Sequence, residues 1–231
     1  MILFEHVTKR YPNGREALTG VTFRVDAGEL VLLTGRSGAG KSTVLKLIAL
    51  LERPTRGTVL VAGKNLGALG SRHIPPYRRS IGVVFQDHRL LLDRPVFDNV
   101  ALPLVVAGCS LKEIDKRVRA ALDQVGLLGH ERMLPVELSV GEQQRVGIAR
   151  AVVSKPSILI CDEPTGNLDR DLAIEVMRLL KRFQSVGVTV VVATHDVQIV
   201  HELGARTLVL EGGRIEPGAD GESLPSMVAS R

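Results

Sequence analysis

The sequence predicts an α/β fold: a mainly parallel sheet covered by helices on both faces, with a helical segment inserted into it. Three observations lead there. Four runs (residues 30–34, 81–85, 157–161 and 188–194) are apolar almost throughout instead of alternating, as strands buried on both faces must be. Stretches with helical periodicity separate them. Between residues 87 and 153 the strand signal disappears altogether.

In chain order, the N-terminal part predicts short strands joined by tight turns. Val21, Phe23 and Val25 alternate with Thr22 and Arg24, the period of a half-buried strand, and Pro12-Asn13-Gly14 before them is a turn signal. The apolar run Leu30–Thr34 is followed by a glycine-rich turn and a helix expected over residues 41–51. Within the insertion, Leu111, Ile114, Val118, Leu122 and Val125 recur at helical spacing. Ser110 and Glu113 have capping-box spacing at that helix's start, and Gly126 stands where it should stop. The expected organisation is one domain over residues 1–231. Residues 1–86 and 154–216 form its α/β core, residues 87–153 a helical subdomain, and residues 217–231, rich in Gly, Ser and Pro, a loosely held tail.

Composition narrows the function classes. With 45% hydrophobic and 24% charged residues, the chain has globular composition, and whole-chain disorder is excluded. No apolar run approaches the roughly 20 residues of a membrane span, and the N-terminus lacks a signal-peptide pattern, so a soluble intracellular protein is expected. Cys109 and Cys161 are too few for a disulfide framework. The net charge of +5 is scattered, and aromatics at 3% leave no stacking platform, so nucleic acid is not an expected partner.

The chemistry begins at Gly35-Arg36-Ser37-Gly38-Ala39-Gly40-Lys41-Ser42-Thr43, a phosphate-loop pattern set between an apolar strand and a helix. Glycines let the backbone wrap phosphate oxygens, and the helix N-terminus adds partial positive charge. Lys41 would reach the β- and γ-phosphates of ATP, and Ser42 would ligate Mg²⁺. A second apolar strand ends in Asp162-Glu163. Carboxylates at a buried strand end need a reason, because desolvating them is costly. Asp162 would hold the Mg²⁺ shell and Glu163 would orient the attacking water. Gln86 and His195 also follow apolar strands. Ser42, Gln86, Glu163 and His195 are therefore expected at one sheet edge, where open α/β sheets bind ligands. Gln86 would complete the metal and water shell, and His195 would sense the γ-phosphate.

Leu138-Ser139-Val140-Gly141-Glu142-Gln143 opens the last helix of the insertion, and Ser139 and Glu142 have capping-box spacing. This segment resembles the signature of the ABC (ATP-binding cassette) family, and the resemblance extends over nearly the whole chain. It implies a P-loop NTPase cassette: a RecA-like sheet with an N-terminal antiparallel β subdomain and an inserted helical signature subdomain. It further implies that Ser139, Gly141 and Glu142 meet the γ-phosphate of ATP held by a second copy, so that ATP lies in a homodimer interface. Tyr11 takes the position of the aromatic stacked on adenine, and residues 166–169 resemble the dimer-contacting loop. Val140 departs from the pattern, standing where the family usually has glycine; its N–H is retained, but its β-branched side chain restricts φ.

Residues 83–91, 97–104 and 143–153 resemble the bacterial cell-division members of the family. That likeness implies an integral membrane partner, indirect contact with the membrane, and a place on the cytoplasmic face of the inner membrane at the septum. The alternative within the family is the ATPase of a lipoprotein-releasing or macrolide-exporting transporter. A non-hydrolysing adaptor would have no need of Glu163, and the long coiled-coil insertion usual in soluble repair members is missing. The apolar cluster of leucines 90–92 followed by Phe97 marks residues 87–97 as the surface that meets the membrane partner if it is exposed, or as part of the insertion's core if it is buried.

Overall fold

The computed structural model describes residues 1–196 and 204–216. The expected tail, residues 217–231, lies outside the described residues.

A central sheet positions everything else. Its strands are β3 (Leu30–Thr34), β6 (Ile81–Val84), β7 (Ile158–Asp162), β8 (Thr189–Ala193), β9 (Arg206–Glu211) and β10 (Arg214–Ile215), in spatial order β10-β9-β3-β8-β7-β6. All neighbours run parallel except β9 and β10. The continuous apolar runs are explained by two cores, one on each face. Leu32, Leu159, Cys161, Val190 and Val192 face one core. Val31, Leu33, Ile158, Ile160 and Val191 face the other. Burial also pushes the Cys161 thiol far above its ordinary pKa, which leaves it a packing residue.

A second, antiparallel sheet comprises β1 (Ile2–Arg10), β2 (Glu16–Val25), β4 (Arg56–Val61) and β5 (Lys64–Asn65), in order β2-β1-β4-β5. Phe4 and Phe23 pair across β1 and β2 with stacked rings 4.5 Å apart. These strands are not short: β1 has nine residues and β2 ten. Register shifts between Phe4 and Val7, with His6 at φ 48°, interrupt the alternation in β1 and hide its length from a period-two reading.

Helix α1 (Lys41–Ile48) stops earlier than expected. Leu50 turns left-handed at φ 53° and the Leu51 N–H reaches back to the Lys46 carbonyl. This glycine-type stop is made without glycine. Helix α2 (Ile74–Arg79) precedes β6. The insertion contains α3 (Val96–Val106), α4 (Leu111–Gln124) and α5 (Val140–Val152), all between β6 and β7, and α6 (Arg170–Ser185) follows β7. Ser110 caps α4, and Gly126 at φ 72° closes it. Helix α5 lies so close to β6 that a Cβ on Gly82 would stand 2.6 Å from the Ala151 carbonyl oxygen.

The leucine cluster is split. Leu90 and Phe97 pack against the core, whereas Leu91 and Leu92 are 41% and 57% exposed. The buried Asn99 side chain fixes this loop by bonding the Leu91 N–H and the carbonyls of Leu91, Arg94 and Pro95.

Candidate active site

Strand β3 runs into the loop of residues 35–40, which is pressed between two neighbouring strands. A Cβ on Gly35 would stand 2.1 Å from the Leu210 carbonyl oxygen, and one on Gly40 would stand 2.7 Å from that of Ala17. Both glycines have positive φ, 137° and 116°, so no other residue fits either position. Helix α1 then begins without a side-chain cap or an acidic residue in its first turn, leaving its N-terminal partial charge uncompensated.

Lys41, at 6% exposure, folds back over this loop. Its Nζ donates to the Gly35 carbonyl at 2.7 Å and to that of Arg36 at 3.3 Å, and lies 3.6 Å from Glu163 Oε1. The Ser42 hydroxyl donates to Asp162 Oδ1 at 3.0 Å. Burial raises the Asp162 pKa; the Ser42 hydroxyl opposes that shift and the neighbouring Glu163 charge adds to it.

Glu163 follows the end of β7 in a left-handed conformation, φ 47°, unusual for a residue with a side chain. Its N–H donates to the Ala193 carbonyl at 2.9 Å, tying the ends of β7 and β8 together. Its other carboxylate oxygen, Oε2, meets His195 Nδ1 at 2.8 Å. One carboxylate thus bridges the phosphate-loop lysine and a histidine from the next strand.

These groups border a cleft of about 1400 Å³. Tyr11, Gly35, Arg36, Ser37, Gly38, Gly40, Lys41, Ser42, Thr43, Gln86, Glu163 and His195 all line it. Asp162 lies behind this wall and reaches the cleft through Ser42. Ala39 is turned away: its side chain packs in the core and its N–H donates to the Arg36 carbonyl. The Tyr11 hydroxyl is 3.4 Å from Thr43 Oγ1, and the Lys9 ammonium lies 5.0 Å from the Tyr11 ring centroid.

Sequence reasoning missed Asn13 and Arg15, which also line the cleft. Arg15 Nη2 donates to the Gly38 carbonyl at 3.1 Å, and Asn13 Oδ1 accepts from the Arg15 N–H. Their only sequence signal was the turn at Pro12-Asn13-Gly14, which says nothing of a loop distant in sequence.

Ser139, Gly141 and Glu142 do not line this cleft. Ser139 caps α5 by accepting from the Glu142 N–H at 3.3 Å. Glu142 Oε2 in turn accepts from the Ser139 N–H at 2.8 Å and from its hydroxyl at 2.7 Å. Those bonds hold the Glu142 carboxyl below its ordinary range. Gly141 is backed by α6: a Cβ there would come within 3.1 Å of Leu172 Cδ1, one turn from Asp169, which caps α6.

A glycine loop between strand and helix, facing carboxylates at parallel strand ends, defines a nucleotide-hydrolysing cassette. The ABC transporter family profile matches residues 18–166, and the chain belongs to the ABC transporter ATPase family. It is similar to the cell division ATP-binding protein FtsE of Escherichia coli (strain K12), with 54% identity over 96% of this chain and 100% of the relative. It is also similar to FtsE of Bacillus subtilis (strain 168), with 47% identity over 93% of this chain and 94% of the relative. Among solved structures it resembles the dimeric bacterial ABC transporter cassette MJ0796, with TM-score 0.85, 36% identity, and coverage of 94% of this chain and 97% of the other. The post-hydrolysis state of that cassette, bound to ADP and Pi, matches equally well in fold (TM-score 0.85, 35% identity, the same coverage).

Proposed function

We propose that the protein is the ATP-binding and ATP-hydrolysing subunit of a cell-division ABC complex. It would drive conformational change in an FtsX-like integral membrane partner and so regulate septal cell-wall hydrolysis. The cell-division assignment rests on the near-full-length likeness to FtsE. The observation that carries the chemistry is the position of Glu163, at 3.6 Å from Lys41 and 2.8 Å from His195 on the wall of the phosphate-loop cleft.

The residues divide the work as follows. Lys41 leaves the carbonyls of Gly35 and Arg36 to neutralise the β- and γ-phosphates, while the loop N–H groups and the uncapped α1 terminus hold the oxygens. Ser42 and Asp162 offer a hydroxyl and a carboxylate within 3.0 Å of each other, hard oxygen donors that suit Mg²⁺. No cluster of three or more His, Cys, Asp or Glu exists among the described residues; Ser42 and Asp162 would hold the ion, and Gln86 would complete the metal and water shell. Mg²⁺ held by Ser42 and Asp162 would supply positive charge to offset that of the phosphates. Glu163 orients and polarises the attacking water, and His195 holds that carboxylate in place and meets the γ-phosphate. Tyr11 stacks on adenine.

Two copies sandwich two nucleotides, each held by one copy's phosphate loop and by Ser139, Gly141 and Glu142 of the other, so hydrolysis opens the dimer. The membrane partner docks on the exposed Leu91 and Leu92, whose loop starts beside Gln86. No helix among the described residues is long and apolar enough to cross a membrane. Attachment to the cytoplasmic face of the inner membrane at the septum is accordingly peripheral, through the partner.

Glu163→Gln should keep ATP affinity and slow hydrolysis by about two orders of magnitude or more. The variant should accumulate as a dimer on size exclusion with Mg-ATP; normal turnover would remove Glu163 from the role of base. Leu91→Glu should remain folded and active yet fail to pull down the co-expressed membrane protein. Unchanged capture places the docking surface elsewhere, and capture of a lipoprotein-releasing or macrolide-exporting permease instead would select the transporter reading.

A further inference from the structure

The turn that follows Gln86 is held in a conformation its residues disfavour. His88 and Arg89 are both left-handed, at φ 54° and 48°, and neither is glycine. Consecutive residues of this kind persist only where their surroundings over-determine them.

The constraint comes from α5. The Arg150 guanidinium donates from Nη1 to the Arg89 carbonyl at 2.6 Å, and from Nη2 to the His88 carbonyl. Two carbonyls thereby converge on one planar fork, an arrangement a lysine cannot reproduce. On the outer side the turn is closed by the Arg89 side chain, which lies 4.2 Å from the Phe85 ring centroid and 3.1 Å from Asp87.

At the same junction the His88 and Gln144 side chains meet but are paired incompletely. His88 Nδ1 and Gln144 Nε2 are both buried and without a hydrogen-bond partner among the described residues. Gln144 also belongs to α5, and burial lowers the His88 pKa while a side-chain hydrogen bond with Gln144 opposes that shift. The two side chains thus already meet through one pair of atoms and leave the other pair unmatched. Unmatched buried polar atoms are costly, and a small rearrangement that pairs them is favourable.

We propose that Arg150 is a positioning residue for hydrolysis: its grip on the strained turn sets where α5, and with it Ser139, stands relative to Gln86. The unmatched His88 and Gln144 atoms give that joint a second arrangement to move into. The inference rests on the reading that Gln86 and Ser139 contact ATP phosphates. Neither Arg150 nor Gln144 lines the cleft, so their influence is transmitted through the turn.

The test is Arg150→Met, which keeps most of the apolar stem and removes the fork, with Arg150→Lys beside it. ATP affinity by a fluorescent analogue, kcat and KM, and thermal stability are measured on each. ATP affinity and KM should stay within about twofold of wild type while kcat falls at least about tenfold, and lysine should restore only a small part of it. Combined with Glu163→Gln, Arg150→Met should also reduce the dimer formed with Mg-ATP. A kcat within twofold of wild type for either variant overturns the proposal, as does a fall in affinity that accounts for the lost activity. If the methionine variant does not fold, the lysine variant decides alone by the same criteria. Ser139→Ala and Gln86→Ala are measured in parallel. Should both keep full activity, the phosphate-contact reading has failed; should they lose it while Arg150→Met does not, only the proposal has failed.

Discussion

Two helix N-termini in this chain have opposite electrostatics. Helix α1 starts at Gly40 with no side-chain cap, no acid in its first turn, and Lys41 beside it. Helix α5 starts at Ser139 with a complete capping box, so that Glu142 occupies both the Ser139 N–H and its hydroxyl. The first terminus is positive and ready for an anion within a single copy. The second is compensated by its own carboxylate, and its serine is already engaged. A helix end built this way attracts phosphate weakly by itself. In the proposed two-copy sandwich it would meet a phosphate that another surface presents.

Removing charge from the first terminus should have the largest effect. Lys41→Ala is expected to abolish nearly all ATP binding, because it removes the buried ammonium that would neutralise the β- and γ-phosphates. Equilibrium binding of a fluorescent ATP analogue is the measurement, and affinity within a few-fold of wild type would break the contrast.

Ser139→Ala addresses the other terminus. Loss of the cap should cost about 1 kcal/mol of stability. ATP binding by the separate subunit should change less than about twofold, whereas steady-state hydrolysis should fall at least about tenfold. A variant that loses stability but not activity would reduce Ser139 to a cap and nothing more.

The smallest effect concerns Asp162, whose carboxyl is raised by burial and only partly relieved by Ser42. A raised folded-state pKa means that the folded form binds the proton more tightly, so stability declines as pH rises from the ordinary carboxylate pKa through the raised one. Above that window the full penalty of the ionised group applies. Asp162→Asn removes it, so nucleotide-free protein should melt higher than wild type at neutral pH, by on the order of a few degrees. That advantage should vanish below the ordinary carboxylate range, and the variant should gain less from Mg-ATP than wild type. Equal melting temperatures at every pH would show the Asp162 charge to be well solvated.

The two termini were also unequally legible. The phosphate loop reads from sequence because its requirements are local: glycines at strained φ, a lysine and a hydroxyl in one short stretch. The capping box at Ser139 was equally plain, but its distance from the cleft was not, because helix placement depends on packing such as Gly141 against Leu172. Arg15 and Asn13 escaped notice because a lone arginine after a turn carries no pattern. The ten-residue length of β2 and the nine of β1 were underestimated because a bulge breaks the alternation that reveals a strand. The leucines at 90–92 were divided between core and surface by Asn99, whose side chain holds the loop through bonds that sequence spacing cannot predict.

The sequence by itself determined which strands are buried on both faces, where the glycine loop must lie, and which polar residues end up at strand termini. Each of these follows from residue type and spacing over a few positions. Tertiary structure alone decided that Glu163 bridges Lys41 and His195, that Asp162 reaches the cleft through Ser42, and that Arg150 grips the turn after Gln86. Those contacts join residues between 32 and 122 positions apart. They exist because parallel strands bring their ends to one edge, and because α5 packs against β6 closely enough for a guanidinium to reach two carbonyls.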